Sequence, residues 1–174
     1  MKKTITILLL ATCFFSCKRK KEDIIINKWQ AVALQNPAMD TIIMQQQSFI
    51  DTVGKSTDAA ANVEMYGTNN MDSFRKELQT QLDSFKIMQD AAIQSTEFNF
   101  MKGGKAIVNL GGGNIDSCKW YFDDDGALIL DEMKLKGAGD KIKMEVIQIS
   151  DTMLKLGLNE QGSKSTVTFK PAKK

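Results

Sequence analysis

The stretch TEFNFMKGGKAIVNLGGGNIDSCKWYF, residues 96–122, decides the fold of this chain. In its three apolar runs every second residue is aromatic, aliphatic or cysteine, and these residues are Phe98, Phe100, Ala106, Val108, Leu110, Cys118, Trp120 and Phe122. A period of two residues is typical of a β-strand that buries one face. Glycines separate the runs, at 103–104 and from 111 onward, and glycine favours hairpin turns. The stretch therefore predicts three consecutive antiparallel strands.

The same period of two continues to the end of the chain. It marks residues 126–135 (GALILDEMKL), 141–149 (KIKMEVIQI), 152–158 (TMLKLGL) and 164–170 (KSTVTFK). Short segments rich in Gly, Asp, Asn and Ser separate these runs. One more strand is predicted at residues 28–34 (KWQAVAL), with Trp29, Ala31 and Ala33 on one face. The sequence therefore predicts eight antiparallel strands.

Between the first and second predicted strands the period changes to that of helices. Asn36-Pro37 is a typical helix start, and Gly54 a typical end. A short helix is predicted from Asp58 to Tyr66. A longer one begins after a cap at Asn70 or Asn69, and its apolar residues are Met71, Phe74, Leu78, Leu82, Phe85, Met88 and Ala92. These apolar residues form a stripe that is interpreted as packing against the rest of the domain. Binding of a lipophilic ligand by the stripe is the alternative.

The first residues have the features of an export signal. Lys2 and Lys3 precede an apolar segment at residues 4–15, which is shorter than the roughly 20 residues of a membrane-spanning helix. Ser16-Cys17 then resembles the lipobox of bacterial lipoproteins; an ordinary signal peptide with a chance cysteine is the alternative. The resemblance implies a signal peptide at 1–16, acylation of Cys17, for example with palmitate, and a lipid anchor in the cell envelope, at the outer membrane. Residues 17–23 would form a lipidated basic tether, and residues 24–174 the folded domain.

Composition narrows the classes of function. The chain has no histidine, which removes the usual nucleophile systems and most zinc sites, so a non-enzyme without metal or cofactor is predicted. Cys118 is the one cysteine of the folded domain, so no internal disulfide is predicted and its thiol is interpreted as buried. Without residues 1–23 the chain keeps 17 basic and 19 acidic residues, which gives no field to attract nucleic acid.

Three further segments are candidates for a binding or catalytic site. Residues 123–126 (DDDG) are interpreted as a hairpin turn rather than a calcium loop, and residues 111–113 (GGG) as a flexible turn rather than a phosphate cradle. Asp131, Glu132 and Glu145 could in principle transfer protons, but alternation on a solvent-exposed face explains them equally well. No catalytic residue is predicted.

The order of elements from Ile24 to Pro171 resembles the lipocalin-like domains of bacterial lipoproteins. Asn27-Lys28-Trp29 is similar to the Gly-x-Trp that opens lipocalins, with asparagine in place of glycine. The resemblance implies a mainly β (α+β) fold, an eight-stranded antiparallel up-and-down barrel with helices 37–94 inserted between strands 1 and 2. It also implies that a basic side chain near the last strand stacks on the ring of Trp29, and Lys164 or Lys170 would take this role.

These features predict a lipid-anchored binding protein that takes a small hydrophobic ligand in the barrel or at the barrel–helix junction. The predicted lining residues are Trp29, Phe98, Phe100, Trp120, Leu128, Leu154 and Phe169. A barrel filled by these same side chains is the alternative, because eight-stranded barrels can be hollow or filled. The alternative function is an accessory envelope lipoprotein whose helix 71–94 docks onto a protein partner.

Overall fold

A computed structural model describes residues 19–55, 57–111, 115–160 and 162–173, so the predicted signal peptide and Cys17 lie outside the described residues. The strands are β1 (Lys28–Gln35), β2 (Thr96–Met101), β3 (Lys105–Leu110), β4 (Ile115–Phe122), β5 (Leu128–Asp131), β6 (Lys141–Ile149), β7 (Leu154–Glu160) and β8 (Ser163–Pro171). The helices are α1 (Lys21–Ile25), α2 (Pro37–Thr52), α3 (Ala59–Tyr66), α4 (Met71–Ser95) and α5 (Met133–Lys136). The eight strands form a closed antiparallel barrel in sequence order, which confirms the predicted fold class.

The barrel closes because β1 pairs with both β2 and β8. Alternate residues of the strands point inward and form one continuous core, from Ile25 to Phe169. This inward set is what the period of two predicted, and closure leaves no free sheet edge.

Two details of the predicted strands are wrong. A bulge between Ala31 and Ala33 resets the alternation in β1, so Ala33 is exposed and Leu34 lies opposite Val167 instead. Leu110 shares the face of Val108 as predicted, and it is 59% exposed because it ends β3 at the rim of the barrel. The predicted strand 126–135 is shorter, since Glu132 has helical backbone angles and leads into α5.

The three predicted helices of the insertion, defined here as residues 36–95, are confirmed. Asn36, Asp58 and Asn70 each accept a hydrogen bond from a backbone N–H in the first turn of their helices, at 2.9 to 3.1 Å. Among the described helices, none combines the length and the apolar character needed to cross a bilayer.

The predicted stripe on α4 holds only in the first half of the helix. Met71 and Leu82 are buried, whereas Phe85 and Met88 are 40% and 66% exposed. The last turns of α4 rest on the barrel through a different face, and Ile93 rather than Ala92 packs against the core. Helix α4 packs on α2 along one part of its length and on the barrel along another, so different faces of the helix are buried in the two parts.

The two ends of the barrel are built differently. The hairpin end carries the turns 102–104, 123–127 and 150–153, and α1 lies across it. Ile25 of α1 is fully buried, and its carbonyl accepts a hydrogen bond of 2.8 Å from the indole of Trp29. Arg19 contacts Asp151 in the third turn at 2.7 Å. The mouth, at the opposite end, carries the insertion and α5.

At the hairpin end, neither of the two lysines that were expected to stack on Trp29 does so. Lys164 pairs with Glu145 at 2.8 Å, and Lys170 is exposed. Among the described residues, the cation–aromatic contacts involve Tyr121 rather than Trp29. The prediction of a lysine stacked on Trp29 is therefore wrong, because α1 and its buried Ile25 cover the indole.

Candidate functional site

The seven residues predicted to line a ligand site lie together in the barrel interior. They are Trp29, Phe98, Phe100, Trp120, Leu128, Leu154 and Phe169, each 0 to 7% exposed. Their rings pack on one another, with centroids 4.9 Å apart for Phe98 and Phe169 and 5.7 Å apart for Phe100 and Trp120. None of the seven lines any of the four cavities described below. Their role in ligand binding stays a prediction, and at their level side chains fill the barrel.

Above this core the mouth contains a cup of about 170 Å³. It is lined by Val108, Leu110, Gly111, Asp116, Cys118, Leu130, Glu132, Asp140 and Ile142. Alternation along β3, β4, β5 and β6 turns the strand residues among them inward, and Gly111, Glu132 and Asp140 adjoin the strand ends. The lower residues are apolar, and the rim carries three carboxylates. A cavity of this size is comparable to a protein cavity of ~150 Å³ that binds benzene.

Helix α5 places a lysine beside the rim of the cup. The carboxylate of Asp131 accepts a hydrogen bond of 2.8 Å from the backbone N–H of Lys134, which fixes the first turn. Gly137 ends the helix in the left-handed conformation, at φ 79°. Lys136 then forms an ion pair with Asp116 and lies 3.9 Å from Glu132. One ammonium group therefore bridges β4 and the end of β5 across the rim.

Asp116 and Lys136 shift each other's pKa values. The hydrogen bond from Lys136 lowers the pKa of Asp116 below its ordinary value of 3.8, and the same contact raises the pKa of Lys136. Backbone hydrogen bonding from Lys134 similarly lowers the pKa of Asp131, with help from the hydroxyl of Tyr121 at 3.0 Å. Asp116 and Asp131 are therefore ionised at neutral pH, and Lys136 is charged beside Asp116.

Cys118 lies on the floor of the cup and is 3% exposed. Burial raises the pKa of its thiol to about 11, and the carboxylates of Glu132 and Asp116 add to the rise. The interpretation of Cys118 as a buried thiol is confirmed. A thiol that is protonated at neutral pH is a poor nucleophile, so the floor is suited to contact an apolar group.

The end of α4 forms the neighbouring side of the mouth. A Cβ atom on Gly111 would lie 2.8 Å from the carbonyl oxygen of Ala92, and Gly111 has φ 84°. Only glycine allows both this approach and this backbone angle without strain. Gly111 therefore joins the insertion to the rim of the cup.

Two further cavities lie along the insertion. A junction cavity of about 300 Å³ opens between α2, α4 and the end of β1, and both polar and apolar side chains line it, among them Met39, Asp40 and Lys86. A groove of about 260 Å³ runs between α2 and α4, where its apolar residues are Ile42, Ile43, Ile50, Leu78, Leu82 and Phe85. The groove, defined by these six residues, is the more apolar of the two.

A cleft of about 600 Å³ opens on the barrel wall near Gly126 and Gly157. Its charged residues are largely paired: Lys143 contacts Asp123 and Asp125 at 2.8 and 3.2 Å. Asp123 also accepts backbone hydrogen bonds within its own turn, from Ala127 at 2.9 Å and Asp125 at 3.1 Å. The interpretation of DDDG as a hairpin turn is therefore confirmed. The GGG turn lies partly outside the described residues.

The described residues contain no grouping of carboxylate and thiol side chains suited to hold a metal ion. Asp131, Glu132 and Glu145 do not meet: Asp131 caps α5, Glu132 faces Lys136, and Glu145 pairs with Lys164. What the mouth offers chemically is an apolar pocket under a charged rim, which is an arrangement for binding.

The sequence placed Val108, Cys118 and Ile142 on the inward face but gave no reason to choose them as a site. The choice depends on which end of the barrel α1 closes, and that depends on contacts distant in sequence. The helix α5 was also missed, because residues 133–135 were assigned to the predicted strand, although Asp131 and Gly137 are helix-capping residue types.

In comparisons with family models, with curated proteins and with solved structures, no match to this chain was found.

Proposed function

We propose that this protein is a lipid-anchored, non-enzymatic binding protein of the cell envelope that takes a small apolar molecule in the cup at the barrel mouth. The observation that carries the proposal is the cup itself. It is the space between the filled barrel core and the rim, and its floor is formed by Val108, Leu130, Ile142 and the protonated Cys118. Mouths of barrels are common ligand sites.

The size of the cup limits the ligand. With about 170 Å³, it accommodates a molecule of about one aromatic ring rather than a long acyl chain. Asp116 and Glu132 line this space, and Lys136 contacts both, so a bound molecule would lie next to this charged group.

The position of the tether agrees with this role. The chain reaches the barrel at the hairpin end, where Arg19 contacts Asp151 and α1 covers the core. A lipid on Cys17 would place the membrane at that end. The mouth would then face away from the membrane and remain open to its surroundings.

A titration with benzene tests the proposal. The protein is the unacylated chain of residues 17–174 with Cys17→Ser, observed through the methyl resonances of Val108, Leu130 and Ile142. We expect saturable shifts of these methyls. Val108→Phe fills the cup and should abolish them, whereas Ile87→Phe, on an exposed site of α4, should leave them unchanged. Shifts that never saturate, or that survive Val108→Phe, would contradict the proposal.

A second function is supported by the surface of the insertion. Eight large hydrophobic side chains on α2, α3 and α4 are 40 to 69% exposed: Ile42, Met44, Phe49, Val63, Met65, Phe85, Ile87 and Met88. Such surfaces mark protein interaction sites. The insertion carries eight acidic and four basic residues, so a partner with an apolar surface and basic surroundings would complement it.

Site-specific photo-crosslinking in the producing cells separates this second function from the first. A photoreactive group at Met88 should give one adduct with a protein of defined mass. The same group at Ile147, which is 42% exposed on the barrel wall, should not give it. Adducts that are identical at both positions would reflect crowding and would contradict a docking role for the insertion.

A further inference from the structure

The barrel carries an unusual arrangement of lysines on the outer face of the hairpin that joins β2 to β3. Lys105 and Lys119 are directly opposite each other in the β3–β4 register. Like charges at opposite positions destabilise a sheet. Lys102 lies in the adjoining turn, so three ammonium groups share this corner of the barrel. We name Lys102, Lys105 and Lys119 the hairpin lysines.

None of the hairpin lysines forms an ion pair within the described parts of the chain. The residue opposite Lys119 on its other side is Asp131. The carboxylate of Asp131 is already occupied by the hydroxyl of Tyr121 at 3.0 Å and the N–H of Lys134 at 2.8 Å. Lys119 instead donates to the carbonyl of Gly103 at 3.4 Å, which draws it toward the turn. In the described structure the three ammonium groups therefore have no carboxylate in direct contact.

Other lysines extend the same surface. Lys170 of β8 and Lys173 beyond it are exposed, and Lys170 lies opposite Gln30 of β1, beside the β1–β2 pair. The acidic residues of the hairpin end lie elsewhere: Asp123, Asp124 and Asp125 in the second turn beside Lys143, Asp151 in the third turn beside Arg19, and Glu22 and Asp23 on α1. The hairpin lysines are thus separate from the acidic turns of the same end.

The chain enters the barrel at this same end, through α1 and the contact of Arg19 with Asp151. The insertion and its exposed apolar side chains lie at the opposite end. A surface that approaches the membrane beside the tether meets headgroups first, and uncompensated lysines attract anionic headgroups.

We propose that the hairpin lysines, together with Lys170 and Lys173, form a surface that binds anionic lipid headgroups and holds the barrel upright with its hairpin end against the bilayer. This surface is separate from the cup, so ligand binding at the mouth and headgroup binding at the hairpin end can fail independently. Orientation on the membrane would then be a property of the barrel and not of the tether alone.

Vesicle sedimentation tests the proposal, with the unacylated Cys17→Ser chain of residues 17–174 and vesicles of phosphatidylcholine with or without phosphatidylglycerol. The test variant carries Lys102→Gln, Lys105→Gln and Lys119→Gln. The control variant carries Lys55→Gln, Lys76→Gln and Lys86→Gln, which removes the same charge from the insertion. Near-ultraviolet circular dichroism establishes that both variants are folded.

We expect the test variant to lose about a hundredfold in partitioning onto anionic vesicles, because each lysine near a charged surface contributes about a fivefold attraction. The control variant should bind as the parent chain does. High salt should suppress the difference. Equal losses in both variants would show attraction by net charge alone and would overturn the proposal. Unaltered binding of the test variant would also overturn the proposal, and so would a parent chain that does not bind anionic vesicles. Displacement of the parent chain by inorganic phosphate at constant ionic strength would overturn it too, because that result would indicate an isolated anion site.

Discussion

The barrel and the insertion solve the burial of apolar side chains in opposite ways. In the barrel, 15 residues form one core in which each is at most 7% exposed. In the insertion, the buried residues of the three helices are Ile50, Asn62, Met71 and Leu82, while eight large hydrophobic side chains stay largely in water. The barrel therefore buries its inward side chains within its own core. The helices of the insertion leave a large part of their apolar surface exposed to solvent.

The difference shows where stability and interaction are located. In a barrel filled by its own side chains, each buried ring adds to stability, and no interior space is left for a ligand. The insertion and the mouth keep exposed apolar groups and small cavities, at a cost in stability. Binding of an apolar ligand or an apolar partner surface is expected at that end, and predictions that change one region at a time can test this division.

The largest effect is expected in the core at the hairpin end. Trp29→Ala removes a fully buried ring and its hydrogen bond to Ile25, and we expect a loss of about 3–5 kcal/mol in the free energy of unfolding by urea. Phe85→Ala, on the 40% exposed side of the groove, should cost well under half as much. Equal losses would mean that the insertion is as essential to the core as the barrel strands are.

Next in size is the reactivity of the thiol at the floor of the cup. Because the pKa of Cys118 is raised from 9.0 to about 11, the thiolate fraction at pH 8 falls about a hundredfold. Alkylation by iodoacetamide, followed by mass spectrometry, should be slower by at least that factor in the folded protein than in urea. A folded-state rate that reaches its half-maximum near pH 9 would contradict the enclosed position of Cys118.

A smaller effect is expected where the insertion joins the mouth. Gly111→Ala would place a Cβ atom 2.8 Å from the carbonyl oxygen of Ala92, in addition to a strained φ. Gly67→Ala, at the end of α3, has a φ of 73° but open space around it. Both variants should lose about 1 kcal/mol from backbone strain, and Gly111→Ala should lose about 1–2 kcal/mol more from the clash. Equal unfolding midpoints would show that α4 moves freely from the rim.

The repeating part of the fold could be predicted from the sequence, because it depends on neighbours in sequence. Alternation placed Phe98, Phe100 and Trp120 on the correct face, and Asn36, Asp58 and Asn70 marked the helix starts. Where the prediction was wrong, a contact from elsewhere in the chain decided the outcome. The bulge in β1 depends on pairing with β8, and the exposed half of α4 depends on where the barrel meets it.

The site was harder to predict for the same reason. The seven predicted residues and the residues of the cup share one inward pattern, and a pattern cannot distinguish the filled part of a barrel from its open end. Lys136 and Asp116 are 20 residues apart, and only the turn through α5 brings them together. No local signal in the sequence indicates this ion pair.

The smallest effect is expected for that ion pair. Because the folded pKa of Asp116 lies below 3.8, its contribution to stability is present above the unfolded pKa and is lost as the pH falls through the folded value. Lys136→Gln removes the main cause of the shift, so the carboxyl carbon of Asp116 should titrate nearer 3.8 in an NMR experiment. Lys134→Gln, whose ammonium lies 4.1 Å from the ring of Tyr121, should leave the midpoint of Asp116 unchanged. Since the pair is exposed to solvent, salt should weaken the shift. If Asp116 titrates alike in the parent and in Lys136→Gln, the lysine does not cause the low pKa, and the ion pair does not hold α5 against β4 in solution.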